Sequence, residues 1–67
     1  MVLSKEEMTD VLTEHLILNI YTPVTAYAIE DELQMDAKNE FGSTDYFRIT
    51  PKGEIKLFKH AKWNPIN

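Results

Sequence analysis

"NIYTPVTAYAIEDELQMD", residues 19–36, can be read in two ways, and the fold turns on which is taken. Its middle, "VTAYAI" (24–29), alternates and is rich in strand-forming residues. Against that, Thr22 or Thr25 can cap a helix, Pro23 is tolerated in a first turn, and Ala26, Ile29 and Leu33 recur at helical spacing opposite Glu30, Asp31 and Glu32. The helical reading uses more of these residues and predicts a second helix over 23–35. Pro23 then ends any preceding helix at or before Thr22.

Upstream, "LSKEEMTDVLTEHLILNI" carries a helix-start signature. Ser4 and Glu7 stand three apart, as a capping box requires, and Leu3 and Met8 occupy the two positions of a hydrophobic staple. Met8, Val11, Leu12, Leu16 and Ile20 follow at three- and four-residue spacing, predicting a helix over 4–19. Downstream, "DAKNEFG" (36–42) reads as one or two further helical turns, with Asp36 as cap and Gly42 as a left-handed stop.

"DYFRITPKGEIKLF" (45–58) reads as a hairpin, expected over 45–60. Pro51 suits the second position of a type I turn, and Gly53 supplies the positive φ of a three-residue loop. That turn sets the register: Ile49 faces Ile55, Arg48 faces Lys56, Phe47 faces Leu57 and Tyr46 faces Phe58. One side then carries Phe47, Ile49, Ile55 and Leu57, and the other Tyr46, Arg48, Lys56 and Phe58. Two cations directly opposite one another call for something anionic above them, either the chain's own acidic segment or a partner. Residues 61–67 have no periodicity and read as a tail, with Asn64-Pro65 as a turn signal and Trp63 as the one tryptophan. The expected architecture is a single α+β domain over 1–67, with two or three N-terminal helices packed on a C-terminal two-stranded antiparallel β-hairpin.

Charge is divided along the chain. Residues 1–47 hold two basic and ten acidic side chains, a balance of -8, whereas residues 48–67 hold five basic and one acidic, a balance of +4. With 67 residues and no cysteine, the chain has no disulfide framework, cysteine zinc site or thiol nucleophile. A core of this size supplies only about 3–5 kcal/mol, which leaves room for self-association or a partner to complete the fold. The start lacks the charged and apolar regions of a signal peptide, and the longest apolar run, "LIL", is too short to span a bilayer, so a cytoplasmic location without membrane contact is expected.

Nothing in the pattern points to catalysis. The two glycines are used by the hairpin turn and the helix stop, no phosphate loop or nucleophile elbow is present, and "EDE" at 30–32 would fan its carboxylates around a helix. His15 has no second histidine three to five residues away, so no metal site and no cofactor is expected. The remaining function class is binding. Tyr46, Arg48, Lys52, Lys56, Phe58 and Trp63 form the expected partner-binding set, because aromatic and basic side chains together suit either a protein hot spot or stacked bases with neutralised phosphates.

The order helix, helix, short helix, hairpin, with "VTAYAIEDELQMD" as second helix and "YFRITPKGEIKLF" as wing, resembles a reduced winged helix-turn-helix domain over about residues 5–60. That resemblance implies a DNA-binding transcriptional regulator. In such a domain the third helix reads the major groove, and here the matching stretch offers only Lys38 and Asn39 between Asp36 and Glu40. The short, acidic, cysteine-free style of the chain is also similar to small bacteriophage proteins that bind and inhibit or redirect a host enzyme. The expected function is therefore a non-enzymatic regulator or inhibitor that binds a protein partner, with nucleic acid as the alternative and a homodimer as one form of self-association.

Overall fold

A computed structural model describes residues 2–67 and shows one helix packed on one face of a five-stranded antiparallel sheet. The elements are α1 (Lys5–Leu18), β1 (Thr22–Ile29), β2 (Glu32–Lys38), β3 (Thr44–Ile49), β4 (Ile55–Lys59) and β5 (Lys62–Pro65). Strand order follows the chain, so the sheet is a meander of four hairpins.

Helix α1 begins as its sequence requires. The Ser4 side chain accepts from the Glu7 amide and the Glu7 carboxylate accepts from the Ser4 amide, at 3.1 and 2.9 Å. Its buried stripe is narrower than the spacing suggests: Met8, Leu12 and Leu16 are buried, while Val11 and Ile20 are 40% and 67% exposed. Each buried side chain contributes about 1.5–3 kcal/mol of transfer free energy. The helix ends in a Schellman motif in which Tyr21 N–H donates to Leu16 O and Ile20 N–H to Ile17 O. Ile20 therefore takes the left-handed position, at φ 64°, that glycine usually fills.

The second helix over 23–35 and the helical turns over 36–42 are absent, and the expected tail over 61–67 carries a strand. Residues 22–38 form the β1–β2 hairpin, 39–43 form a loop, and 62–65 form the fifth strand. Ala26 and Leu33 point to the helix side while Ile29 points to the other, so the expected helical stripe does not lie on one face. Pro23 sits beside a bulge on an edge strand, where its missing N–H breaks no ladder. Gly42 is left-handed, at φ 84°, but it closes a hairpin loop whose Asn39 Oδ1 accepts from Phe41 and Ser43 amides. The winged-helix resemblance fails with these elements, since no helix after α1 exists to enter a groove.

The physical reason is cooperative. A two-stranded hairpin is marginal alone, and three or more strands with an apolar face are needed to support one. Strand β2 presents Leu33, Met35 and Ala37 inward beside Phe47 and Ile49 of β3, and Ile55 extends the same layer. Those six residues with Met8, Leu12 and Leu16 make the core, and Leu3, Tyr21 and Leu57 pack against it. Helix α1 lies chiefly against β1, β2 and β3. Among the described residues, the opposite face of the sheet has no second layer. No helix among the described residues is long and apolar enough to cross a membrane.

Candidate functional site: the open face of the sheet

Strand alternation sends every second side chain away from α1. The register aligns these outward residues in rows across the sheet. Tyr27, Gln34, Arg48, Lys56 and Pro65 form one row, and Asp36 is paired with Tyr46 in the next, where Phe58 is paired with Trp63.

A chain of polar contacts links the rows. Gln34, buried to 8% exposure, donates through Nε2 to the Tyr27 hydroxyl at 2.6 Å and accepts at Oε1 from Arg48 Nε at 2.9 Å. The Tyr27 hydroxyl donates to Asp36 Oδ1 at 3.3 Å, and Gln34 Nε2 reaches the same oxygen at 3.4 Å. The Arg48 guanidinium stacks 4.4 Å from the centre of the Trp63 ring, which tilts against Phe58 with centroids 5.2 Å apart. The ladder pairs Arg48 with Lys56, as its turn predicts, and the repulsion is relieved within the chain. Lys56 Nζ lies 3.1 Å from Glu32 Oε1 and donates to Oε2 at 3.3 Å. The anion beside Lys56 comes from strand β2, and Arg48 is held by the Gln34 amide oxygen and the Trp63 ring.

The Tyr27 phenol is held above the ordinary tyrosine range, first by desolvation and then by the charge and hydrogen bond of Asp36.

Of the six residues expected from sequence, Tyr46, Arg48, Lys56, Phe58 and Trp63 share this face. Lys52 does not. It lies in the β3–β4 turn and lines a hollow together with Val2, Asp31, Glu32, Thr50, Pro51 and Glu54. Lys59 and Lys62 pair with each other in the register that alternates to the helix side, and add nothing to the open face. Sequence reasoning missed Tyr27, Glu32, Gln34 and Asp36, all of which fell in the stretch read as helix. The alternation in "VTAYAI" was the signal that could have found the first of them.

The arrangement has the materials of a docking surface. Tyr27, Tyr46 and Phe58 are 40%, 40% and 39% exposed, and they surround an arginine whose position is already set. No protein-family model matches the chain, and neither a curated protein nor a solved structure matches it.

Proposed function

We propose that this chain is a non-enzymatic binding protein that docks a protein partner on the open face of its sheet and acts as a regulator or inhibitor of a host enzyme or complex. One observation carries the reading: the uncovered face groups Tyr27, Tyr46, Phe58 and Trp63 around an Arg48 pinned by Gln34 and Trp63. Tryptophan, tyrosine and arginine are the residue types that dominate protein hot spots. Side chains ordered before association lose less rotamer freedom on binding. The size and charge style of the chain, similar to bacteriophage host-modulating proteins, supports the regulatory role.

A second reading rests on the same aromatics. Single-stranded nucleic acid stacks on rings interleaved with cations, here Arg48 and Lys56. Glu32 and Asp36 on the same face oppose phosphate and place this reading second.

The test is capture from lysate of the source cell with the tagged chain, with and without nuclease, alongside Arg48→Glu/Lys56→Glu and the milder Tyr46→Ala. One protein retained in stoichiometric amount despite nuclease, and lost with the variants while circular dichroism stays native, is the expected result. Retention unchanged by the variants would place binding elsewhere. Recovery that vanishes with nuclease would favour nucleic acid.

A further inference from the structure

The two edges of the sheet are built differently. Edge strand β5 has four residues, carries exposed Lys62 and ends in Pro65, and its Asn64 side chain donates to the chain's own carbonyls at Lys59 and Lys62. Those are the features that protect an edge from pairing. Strand β1 has eight residues, "TPVTAYAI", none of them charged, and six are exposed. Pro23 and the bulge after it blunt only its first end. Thr25–Ile29 forms a regular ladder with β2 on one side and presents a bare edge on the other.

We infer that β1 is a self-association edge, at which a second copy of this chain pairs antiparallel over Thr25–Ile29 about a two-fold axis near Tyr27. Charge selects this occupant and this direction. The β1–β2 turn carries exposed Glu30 and Asp31 at one end of the strand, and exposed Lys38 pairs with Thr22 at the other. None of the three forms an ion pair within the chain among the described residues. Two-fold antiparallel pairing brings each acidic turn to the Lys38 end of the partner. Two strand spacings across and about two residues along, roughly 12 Å between Cα atoms, separate Lys38 from the partner's Glu30, a gap that their side chains can span. A parallel approach would set acid against acid.

The side chains along the seam also suit a copy of themselves. Centred on Tyr27, the register sets Thr25 opposite the partner's Ile29 and Ala26 opposite the partner's Ala28. On the helix side these small exposed alanines leave room for the two copies to approach. On the open side the two Tyr27 rings meet as a cross-strand aromatic pair. Association stops at two because each β5 edge is protected, so the contact closes as a dimer and does not propagate. A seam of five residues a side lies at the small end of specific interfaces, and the pairing is accordingly weak and concentration-dependent. A two-fold axis perpendicular to the sheet keeps both open faces on one side. The docking face proposed above would double, with only its Tyr27 engaged at the seam, but the pairing does not depend on that reading.

Sedimentation equilibrium of the full chain, from about 1 µM to about 1 mM, reads the outcome directly. The expected weight-average mass rises from 7.8 kDa towards twice that value. Ala26→Lys/Ala28→Lys, at exposed positions, is expected to hold it at 7.8 kDa. Glu30→Lys and Lys38→Glu are each expected to weaken pairing about three- to tenfold over the two symmetric contacts, and the double exchange to restore it. A constant mass of 7.8 kDa for the unaltered chain would overturn the proposal. So would pairing that survives the two lysines, or a charge exchange that restores nothing. The exchange lies on exposed turn and strand-end residues and keeps the test decisive if the lysine variant fails to fold.

Discussion

The β3–β4 and β4–β5 hairpins share a strand and differ in how their turns are made. The first runs through Thr50-Pro51-Lys52-Gly53, where Gly53 takes φ 89° and the Thr50 hydroxyl accepts from the amides of Lys52 and Glu54. The second turns on His60 and Ala61, at φ 55° and 62°. Two successive residues in the left-handed region are what a two-residue hairpin turn needs, and Asn-Gly normally supplies them. One turn is written in local chemistry. The other is imposed by what its strands gain once they pair: Phe58 against Trp63, Trp63 beneath Arg48, and the Ile66 amide on Ile55 O. A hairpin can thus be specified by its turn or by its neighbours, and only the first kind can be recognised from a few residues.

The comparison breaks most severely at β3, the strand on which the shared strand β4 pairs. Phe47 is buried at 2% exposure and meets Tyr21 edge-on at 4.9 Å. Phe47→Ala should cost about 3–5 kcal/mol, close to the whole stability of a domain this size. Chemical denaturation should find the variant largely unfolded at 25 °C, with both hairpins lost together.

Next in size is the signalled turn. A Cβ at Gly53 would meet only Leu3 Cδ1, at 3.8 Å, so the cost of Gly53→Ala is conformational and not steric. It should destabilise by about 1–2 kcal/mol, read as a lower denaturation midpoint with unchanged slope. The reverse change sharpens the contrast. Ala61→Gly relieves a left-handed alanine and should stabilise by about 0.5–1 kcal/mol, since the gain is partly offset by the greater freedom of glycine in the unfolded chain.

The smallest effect is electrostatic and concerns the link from the end of α1 to β3. The Tyr21 hydroxyl donates to Asp45 Oδ2 at 2.8 Å, and burial, that hydrogen bond and the aspartate charge, in that order, hold its pKa above the ordinary 10.0. A raised acid pKa means that folding favours the protonated phenol. The resulting stability is fully present below about pH 10 and is lost as pH rises through the folded value. The drop in Tm between about pH 8 and pH 11 should therefore be smaller in Tyr21→Phe than in the unaltered chain.

The open face was legible in the same proportion as the hairpins. One turn and an alternation of two group Tyr46, Arg48, Lys56 and Phe58, whereas nothing local fixes where Trp63 lies. Gln34, Asp36, Glu32 and Tyr27 were invisible because Glu30-Asp31 does not advertise a turn, although Glu30 takes φ 56°. With that turn unread, helical spacing over Ala26, Ile29 and Leu33 outweighed the strand pattern in "VTAYAI". Propensity over so short a window is a weak prior that pairing partners override.

By itself the sequence determined what is local. The Ser4–Glu7 box starts α1, the Pro51–Gly53 turn sets a register, and the division of charge places most cations in the last third. Each depends on residues within a few positions of one another. The tertiary structure alone decided the other three hairpins and the shared face. A strand with no turn signal has no reason to form until β3 offers it a hydrogen-bonding edge and α1 offers its inward side chains a dry surface. Burial then makes residues 22–38 a hairpin, because Leu33, Met35 and Ala37 can reach the core together only at a period of two.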